Sequence, residues 1–327
     1  MKTQNIKKGW WIHILIIASL ILLTLSTNVQ AECRLLGMIA KDNNYLHTES
    51  DMVEELLDTL QAQGGDTYQY DDGWGLLYYK FNHLIVDTNN IYRDSLEAYE
   101  NSYYDTVQTY FINPFRGAYL GMGHVRLAGP GQPSDLRDPH PFVWTFDDTL
   151  GDYAYRFTFA HNGTLKKSDL ITIADSTFLH WCWEYEIEPQ IFGDPPQGYD
   201  WWEPEVYADH VVDTEIYFFL VMWRIYLNDG DILTGMHEAL NLISGFTQYP
   251  NPNTAKNFIF STNTGLYAYR EVEAGSPITY ELYYFNDTGC NIFGVMSDPP
   301  GNNEEWTYIN DGTLVYLPLF ISSISSS

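Results

Sequence analysis

Apolar residues recur along the chain at two periods, one typical of helices and the other typical of strands. From Ser50 to Gln63 they follow helical spacing, Ser50 can cap the first turn, and two glycines end the pattern. The same spacing predicts helices over 214–226 and 232–243. Short apolar runs early and late in the chain predict strands over 33–40, 75–79, 118–125, 142–146, 155–160, 257–261, 266–269, 278–284, 292–296 and 314–319.

This order of elements predicts an α+β fold in one domain spanning residues 33–327. Strands at both ends of the chain with helices between them favour two stacked, mainly antiparallel sheets between two helix layers. One segment, residues 182–210, has neither period and is rich in Trp, Tyr, Pro, Gly and acidic residues. We expect it to be a long surface insertion, which could be a binding lid or a surface feature held together by its aromatic residues.

The first 31 residues have the pattern of an export signal. Three lysines precede a mostly apolar run over 10–25, and Val29 and Ala31 occupy the small-residue positions that a signal peptidase reads. A spanning helix needs about 20 residues, so the run is short for an anchor. We expect cleavage and an exported, periplasmic or extracellular protein that has no membrane contact afterwards, with an uncleaved anchor as the alternative.

Charge, cysteine content and missing motifs limit the partners, disulfides and cofactors that we expect for this protein. A net charge of -27 repels phosphate backbones, so we expect no nucleic-acid partner. In an oxidising compartment, three cysteines allow one disulfide or none, and the natural pair is Cys182 with Cys290, which leaves Cys33 as a thiol. The zinc motif HExxH, the GxSxG elbow and the phosphate-binding GxxxxGK[ST] loop do not occur in the sequence. We expect neither a metal nor a cofactor.

Four short motifs follow one another along the chain. They are CRLLG at 33–37, GHVR at 123–126, AHNG at 160–163 and DTE at 213–215. Together they resemble the class II glutamine amidotransferase domain, an N-terminal-nucleophile hydrolase, and most of all its stand-alone bacterial members. DGWG at 72–75 and SDP at 297–299, followed by Trp306, are weaker matches. The resemblance covers almost the entire mature chain, from Cys33 to about Leu319, and implies a four-layer αββα sandwich.

The resemblance also implies a mechanism based on a thiol. A cysteine at the start of a chain carries its own base, because an α-amine titrates at about 7.7–8.0 and can accept the thiol proton. Cys33 would be this nucleophile. The tetrahedral oxyanion formed by its attack needs fixed donors, and the family's HNG turn assigns that role to Asn162 and Gly163.

A second set of residues is implied to bind substrate. Arg126 corresponds to the family's carboxylate-binding arginine, and its planar fork suits bidentate pairing. Asp213 corresponds to the acid that holds the substrate ammonium, and His124 is expected to support the site. The alternatives are a surface salt bridge for Arg126 and a helix N-cap for Asp213.

These residues predict an enzyme that hydrolyses glutamine or another small γ-glutamyl amide through a Cys33 thioester. Cleavage after Ala31 would leave Glu32 in front of the cysteine, so a second cleavage is expected. One alternative is an acylase that acts on a different amide on the same fold. The other is a non-catalytic binding protein in which Cys33 stays blocked.

Overall fold

The structure is a computed structural model that describes residues 33–42, 44–64, 72–80, 90–126, 140–146, 155–189, 203, 211–244, 255–263, 265–272, 280–286, 289–301 and 305–319. The export signal predicted for residues 1–31 and Glu32 lie outside this part of the chain. In the described ranges no helix is both long enough and apolar enough to cross a membrane. Residues Glu32–Ser327 form one compact unit.

Two antiparallel sheets form the centre of this unit. The strands are β1 (Arg34–Ala40), β2 (Trp74–Lys80), β3 (Ile91–Asp94), β4 (Ala118–Val125), β5 (Phe142–Phe146), β6 (Tyr155–Asn162), β7 (Asn257–Thr262), β8 (Gly265–Arg270), β9 (Tyr283–Phe285), β10 (Ile292–Met296), β11 (Trp306–Tyr308) and β12 (Thr313–Pro318). The first sheet has the order β11-β9-β10-β1-β4-β2-β3, and the second has the order β12-β8-β7-β6-β5.

Helices cover the outer face of each sheet. They are α1 (Ser50–Gln63), α2 (Ser102–Phe111), α3 (Lys167–Ile173), α4 (Ser176–Glu184), α5 (Asp213–Leu227) and α6 (Ile232–Ser244). Helices α1 and α2 pack on the first sheet in one hydrophobic core, which also includes the inner face of the second sheet. The outer face of the second sheet packs on the other four helices in a separate core. The α+β, four-layer αββα prediction is confirmed.

Most of the predicted elements are present. The helix at Ser50–Gln63 and the strands at Ala118–Val125, Phe142–Phe146 and Ile292–Met296 have the predicted bounds. Of the strand predicted over 278–284, only Tyr283 and Tyr284 are in β9, residues 280–282 are not in a strand, and 278–279 lie outside the described residues. Helices α2, α3 and α4 and strands β3 and β11 were not predicted.

The predicted start of the insertion at residue 182 is wrong. Residues 182–184 complete helix α4, because the Asp175 side chain caps its first turn through Thr177 and Phe178, and Phe178, Trp181 and Cys182 are buried against the helical layer. An irregular segment can therefore begin only after Glu184. Of its remainder, residues 190–202 and 204–210 lie outside the described part of the chain.

The predicted pairing of Cys182 with Cys290 is also wrong. Cys182 is a fully buried thiol on α4 that forms no disulfide, and burial raises its pKa well above the ordinary value. Cys290 lies just before β10, in the first sheet. The two residues belong to different layers of the sandwich, which the cysteine count alone does not reveal.

Candidate active site

Cys33 and Arg126 lie at the same end of two paired strands. Strands β1 and β4 are antiparallel, with Arg34 opposite Val125. Cys33 directly precedes β1, and Arg126 directly follows β4. Because facing residues of antiparallel strands lie about 5 Å apart, this register brings the two predicted site residues together. The Arg126 backbone N–H also donates to the Gly73 carbonyl at 2.9 Å, which joins the DGWG segment to this end of the sheet.

The alternation of side chains directs Cys33 between the two sheets. Residues two apart on a strand share a face. A Cβ at Gly37 would lie 2.9 Å from Leu266 Cδ2, an atom of β8 in the second sheet. The odd-numbered residues of β1 therefore face the second sheet, and Cys33 continues this series at its start. Its exposure is intermediate, as reaction with a substrate requires.

The same reasoning applies to β4. A Cβ at Gly123 would lie 2.5 Å from Leu60 Cδ2 of α1, so this residue faces the helix layer. His124 and Arg126 therefore share the opposite, inter-sheet face. His124 is fully buried and Arg126 is 7% exposed. A cation enclosed at this depth is suited to an anionic group of a bound molecule.

Asn162 comes from the second sheet and faces the same space. On β6, Phe159 packs on Phe218 of α5, whereas Ala160 belongs to the core that includes the first sheet. Asn162, two residues after Ala160, is therefore directed towards the first sheet. It is 1% exposed, and neither Oδ1 nor Nδ2 has a hydrogen-bond partner among the described residues. A buried amide of this kind costs about 1–3 kcal/mol unless a ligand satisfies it.

Gly163 has a backbone that requires glycine. Its φ is +151°, a region that L-residues rarely adopt, and a Cβ would lie 2.2 Å from the Ala255 carbonyl oxygen. A side chain at this position would force the backbone away from Ala255, two residues before β7. The HNG turn is therefore a fixed structure and differs from an ordinary Asn-Gly hairpin turn.

His161 anchors this turn to the helix layer. Its Nδ1 lies 3.1 Å from the Thr214 hydroxyl and its Nε2 lies 3.0 Å from the Ala255 carbonyl oxygen. A carbonyl only accepts, so Nε2 carries the proton and Nδ1 accepts from Thr214. Burial lowers the pKa of His161, while the charge of Asp213 and the bond to Ala255 oppose that shift. Both ring nitrogens are engaged, so His161 supports the site.

Asp213 begins helix α5 beside the same turn. Its Oδ2 accepts from the Leu165 N–H at 2.8 Å, two residues after Gly163. The N-cap position belongs to Val212, which has no side-chain capping bond. The cap role considered for Asp213 is therefore wrong, and its carboxylate instead connects α5 to the segment that leaves the HNG turn.

Three buried histidines, His124, His140 and His161, form a histidine cluster between these elements. The rings of His124 and His140 lie 4.2 Å apart, and His140 Nδ1 accepts from the His161 backbone N–H at 3.2 Å. Neither ring nitrogen of His124 has a hydrogen-bond partner among the described residues. Burial lowers the pKa of His124 well below the ordinary value, and the charge of Arg126 lowers it further. His124 is therefore neutral near pH 7.

Two residues beside the predicted site, His140 and Arg93, were not identified from the sequence. Arg93 on β3 is half-buried, donates to the Pro141 carbonyl oxygen and lies over the Phe142 ring at 5.7 Å. Burial lowers its pKa to about 10, and the charge of the buried Glu215 opposes that shift. Arg93 is therefore charged at neutral pH. The only sequence signal at His140 is a His-Pro pair before a strand.

The two parts of the weaker match at 297–299 and Trp306 lie in different places. The Ser297 hydroxyl accepts from the Leu35 N–H at 3.0 Å, and the Ser297 N–H donates to the Leu35 carbonyl at 3.0 Å, which fixes the start of β1 close to Cys33. Trp306 lies on the edge strand β11, opposite Phe285.

Within the described ranges, no group of three or more His, Cys, Asp or Glu residues could hold a metal ion.

Three solved structures are among those similar to this chain. A glutamine aminotransferase class-II domain protein from Silicibacter pomeroyi is 16% identical over 87% of this chain and 94% of its own, with a TM-score of 0.49. Glutamine phosphoribosylpyrophosphate amidotransferase from B. subtilis is 13% identical over 88% of this chain and 47% of its own, with a TM-score of 0.43. A predicted glutamine amidotransferase from Pseudomonas aeruginosa is 15% identical over 88% and 93%, with a TM-score of 0.36.

No curated protein matches the chain. The family model described as glutamine amidotransferases class-II matches residues 32–177. This region starts beside Cys33 and contains the GHVR and AHNG motifs, whereas Asp213 lies beyond it. The resemblance drawn from the motifs is confirmed: residues 32–177 of this chain carry the sequence pattern of the class II glutamine amidotransferase domain.

Proposed function

We propose that this protein is a cysteine amidohydrolase that hydrolyses glutamine or a related γ-glutamyl amide through a thioester to Cys33. The observation that carries the proposal is the buried Asn162 amide, which has no hydrogen-bond partner among the described residues and faces the side on which Cys33 lies. A donor held in a dry site and directed at the reacting carbonyl is the usual requirement for stabilising an oxyanion.

The reaction begins at the amine of Cys33. This amine takes the proton from the thiol, and the sulfur attacks the amide carbon. The carbonyl electrons move to oxygen, where the Asn162 amide and the Gly163 backbone N–H donate to the oxyanion. Collapse of the intermediate expels ammonia, which leaves with the proton from the amine. Water then attacks the thioester and releases the γ-carboxylate and the thiol.

The head group of the substrate is bound by two opposite charges. The Arg126 guanidinium pairs with the α-carboxylate, and the Asp213 carboxylate pairs with the α-ammonium. The side chain of Arg126 shares the inter-sheet face with His124, whose ring nitrogens complete the polar lining. The burial of Arg126 and the charge of Asp213 beside the HNG turn favour a γ-glutamyl substrate over an apolar acyl chain.

Export and processing are part of the same proposal. We propose that the signal over residues 1–31 directs the protein to the periplasm or the exterior, where it acts on a small amide without a cofactor. Because only a free α-amine can serve as the base, Glu32 must be removed before Cys33 becomes active.

The test compares two forms of the protein, one beginning at Cys33 and the other at Glu32. We expect only the first form to hydrolyse glutamine, and the hydrolysis is measured as the rate of ammonia release. Cys33→Ser should abolish turnover and Arg126→Ala should raise KM, whereas the matched controls Cys290→Ser and Arg116→Ala should keep wild-type kinetics.

Equal activity of the two forms, or full activity of Cys33→Ser, would refute the mechanism. Turnover of only an apolar acyl amide would indicate an acylase, and binding without turnover would indicate a binding protein.

A further inference from the structure

His140 lies just beyond the end of the pairing between β5 and β6 in the second sheet. Strand β5 pairs with β6 from Phe142 opposite Phe159, so continuing this register places His140 opposite His161. At that position the His161 N–H donates to the ring of His140 and not to a backbone carbonyl of the neighbouring strand. The ring Nδ1 accepts from the His161 N–H at 3.2 Å. The hydrogen bond therefore fixes the last residue before the Asn162–Gly163 pair.

The other side of His140 is held by the first sheet. A Cβ at Gly75 of β2 would lie 1.9 Å from the His140 carbonyl oxygen, so this backbone packs directly on the strand and only glycine fits there. The His140 ring lies 4.2 Å from that of His124 on β4 and 4.9 Å from that of Phe142. The residue thus contacts both sheets at the end where the predicted site residues lie.

The bond to His161 requires a neutral ring that is protonated on Nε2. His140 is 8% exposed, and burial lowers its pKa well below the ordinary value. Positive charge on Arg126 and Arg93 and the nearby His124 and His161 lower it further. The charge that would turn Nδ1 into a donor is therefore disfavoured near pH 7, and Nδ1 stays available as an acceptor.

We propose that His140 is a positioning residue, which holds the HNG turn of the second sheet in register with Cys33 and Arg126 on the first sheet. It acts through the His161 backbone N–H and does not contact the substrate. The proposal rests on the proposed function, because it assigns the residue that sets the geometry of the oxyanion donors. Displacement of such donors by about 1 Å can lower a rate about 100-fold.

Two substitutions separate the acceptor at Nδ1 from the rest of the ring. The Asn side chain carries an oxygen near the position of Nδ1, whereas Gln places its oxygen near Nε2. We expect His140→Asn to keep most of the wild-type kcat and His140→Gln to lower kcat about 10- to 100-fold, with KM little changed in both. The exposed His237 on α6 gives the matched controls His237→Asn and His237→Gln, which should leave both constants unchanged.

Hydrogen exchange of the peptide covering 157–163 tests the proposal without turnover. His140→Gln should speed exchange of the His161 amide, and His140→Asn should not. Equal kinetics and equal exchange in the two variants would overturn the positioning role, while loss of turnover in Cys33→Ser would leave the proposed function intact. In the unmodified protein, ring ¹⁵N shifts should show His140 protonated on Nε2 alone, and a proton on Nδ1 would contradict the proposal whether or not the variants fold.

Discussion

The buried amide of Asn162 gives the sharpest quantitative prediction, because its removal should lower activity without lowering stability. In Asn162→Ala the oxyanion loses a side-chain donor. Loss of one such donor lowers kcat about 100- to 1,000-fold, equivalent to about 2.7–4 kcal/mol of transition-state stabilisation. KM should change little, because the donor is aligned with the oxyanion and not with the ground-state carbonyl.

The stability of the same variant follows from the lack of partners for Asn162. No hydrogen bond within the described residues is broken, since neither amide atom makes one. The substitution removes a buried polar group that costs about 1–3 kcal/mol, which offsets the small cavity left behind. We therefore expect a free energy of unfolding equal to that of the wild type or slightly above it.

His161→Ala is the matched comparison at the adjacent residue. It removes the bonds from the ring to Thr214 and to the Ala255 carbonyl and leaves those groups buried, at a cost of about 1–3 kcal/mol for each. This variant should lose both stability and activity. Urea unfolding and steady-state ammonia release measure the two quantities. An Asn162→Ala protein with wild-type kcat, or one destabilised as much as His161→Ala, would refute the assignment of Asn162.

Three further predictions concern the surroundings of the site. Gly163→Ala should lower the free energy of unfolding by about 1–3 kcal/mol, measured in urea, because φ is +151° and the Cβ would meet the Ala255 carbonyl; an unchanged midpoint would contradict the strain. Each member of the histidine cluster has a pKa below 6.5, so the unfolded chain binds more protons and stability should fall as the pH drops below about 6.5; His140→Asn should show a smaller fall. Cys182 should resist alkylation at pH 8 until the protein is unfolded, because its pKa is raised by burial; rapid labelling in the native state would contradict this packing.

Elements with a single clear period were predictable from the sequence, and elements that depend on tertiary contacts were not. Helix α1 combines helical spacing with a glycine stop, so its bounds were found. Helix α2, SYYDTVQTYF, consists largely of Tyr, Thr, Val and Phe, residues that favour strands. It forms a helix because Asn101 caps it through Tyr103 and Tyr104 and because its inner face packs on the first sheet.

The residues of the candidate site also differ in whether a local sequence pattern or only a tertiary contact identifies them. The motifs located Cys33, Arg126 and Asn162, but their common location depends on antiparallel register and on which face each strand buries, and neither is fixed by local spacing. His140 was missed because its bond is to a backbone N–H at residue 161 and its closest packing is on a glycine at residue 75. Such contacts leave no side-chain pattern in the sequence.

The central claim is that Cys33 acts with its own free amine. Treatment with a glutamine analogue that has an electrophilic side chain, with intact and peptide mass analysis of the labelled protein afterwards, tests it most directly. We expect one adduct per chain, located on the Cys33 sulfur and confined to chains that begin at Cys33, with loss of activity in proportion to labelling. Labelling and turnover in chains that still carry Glu32, or complete inactivation with the adduct on another residue, would contradict the claim.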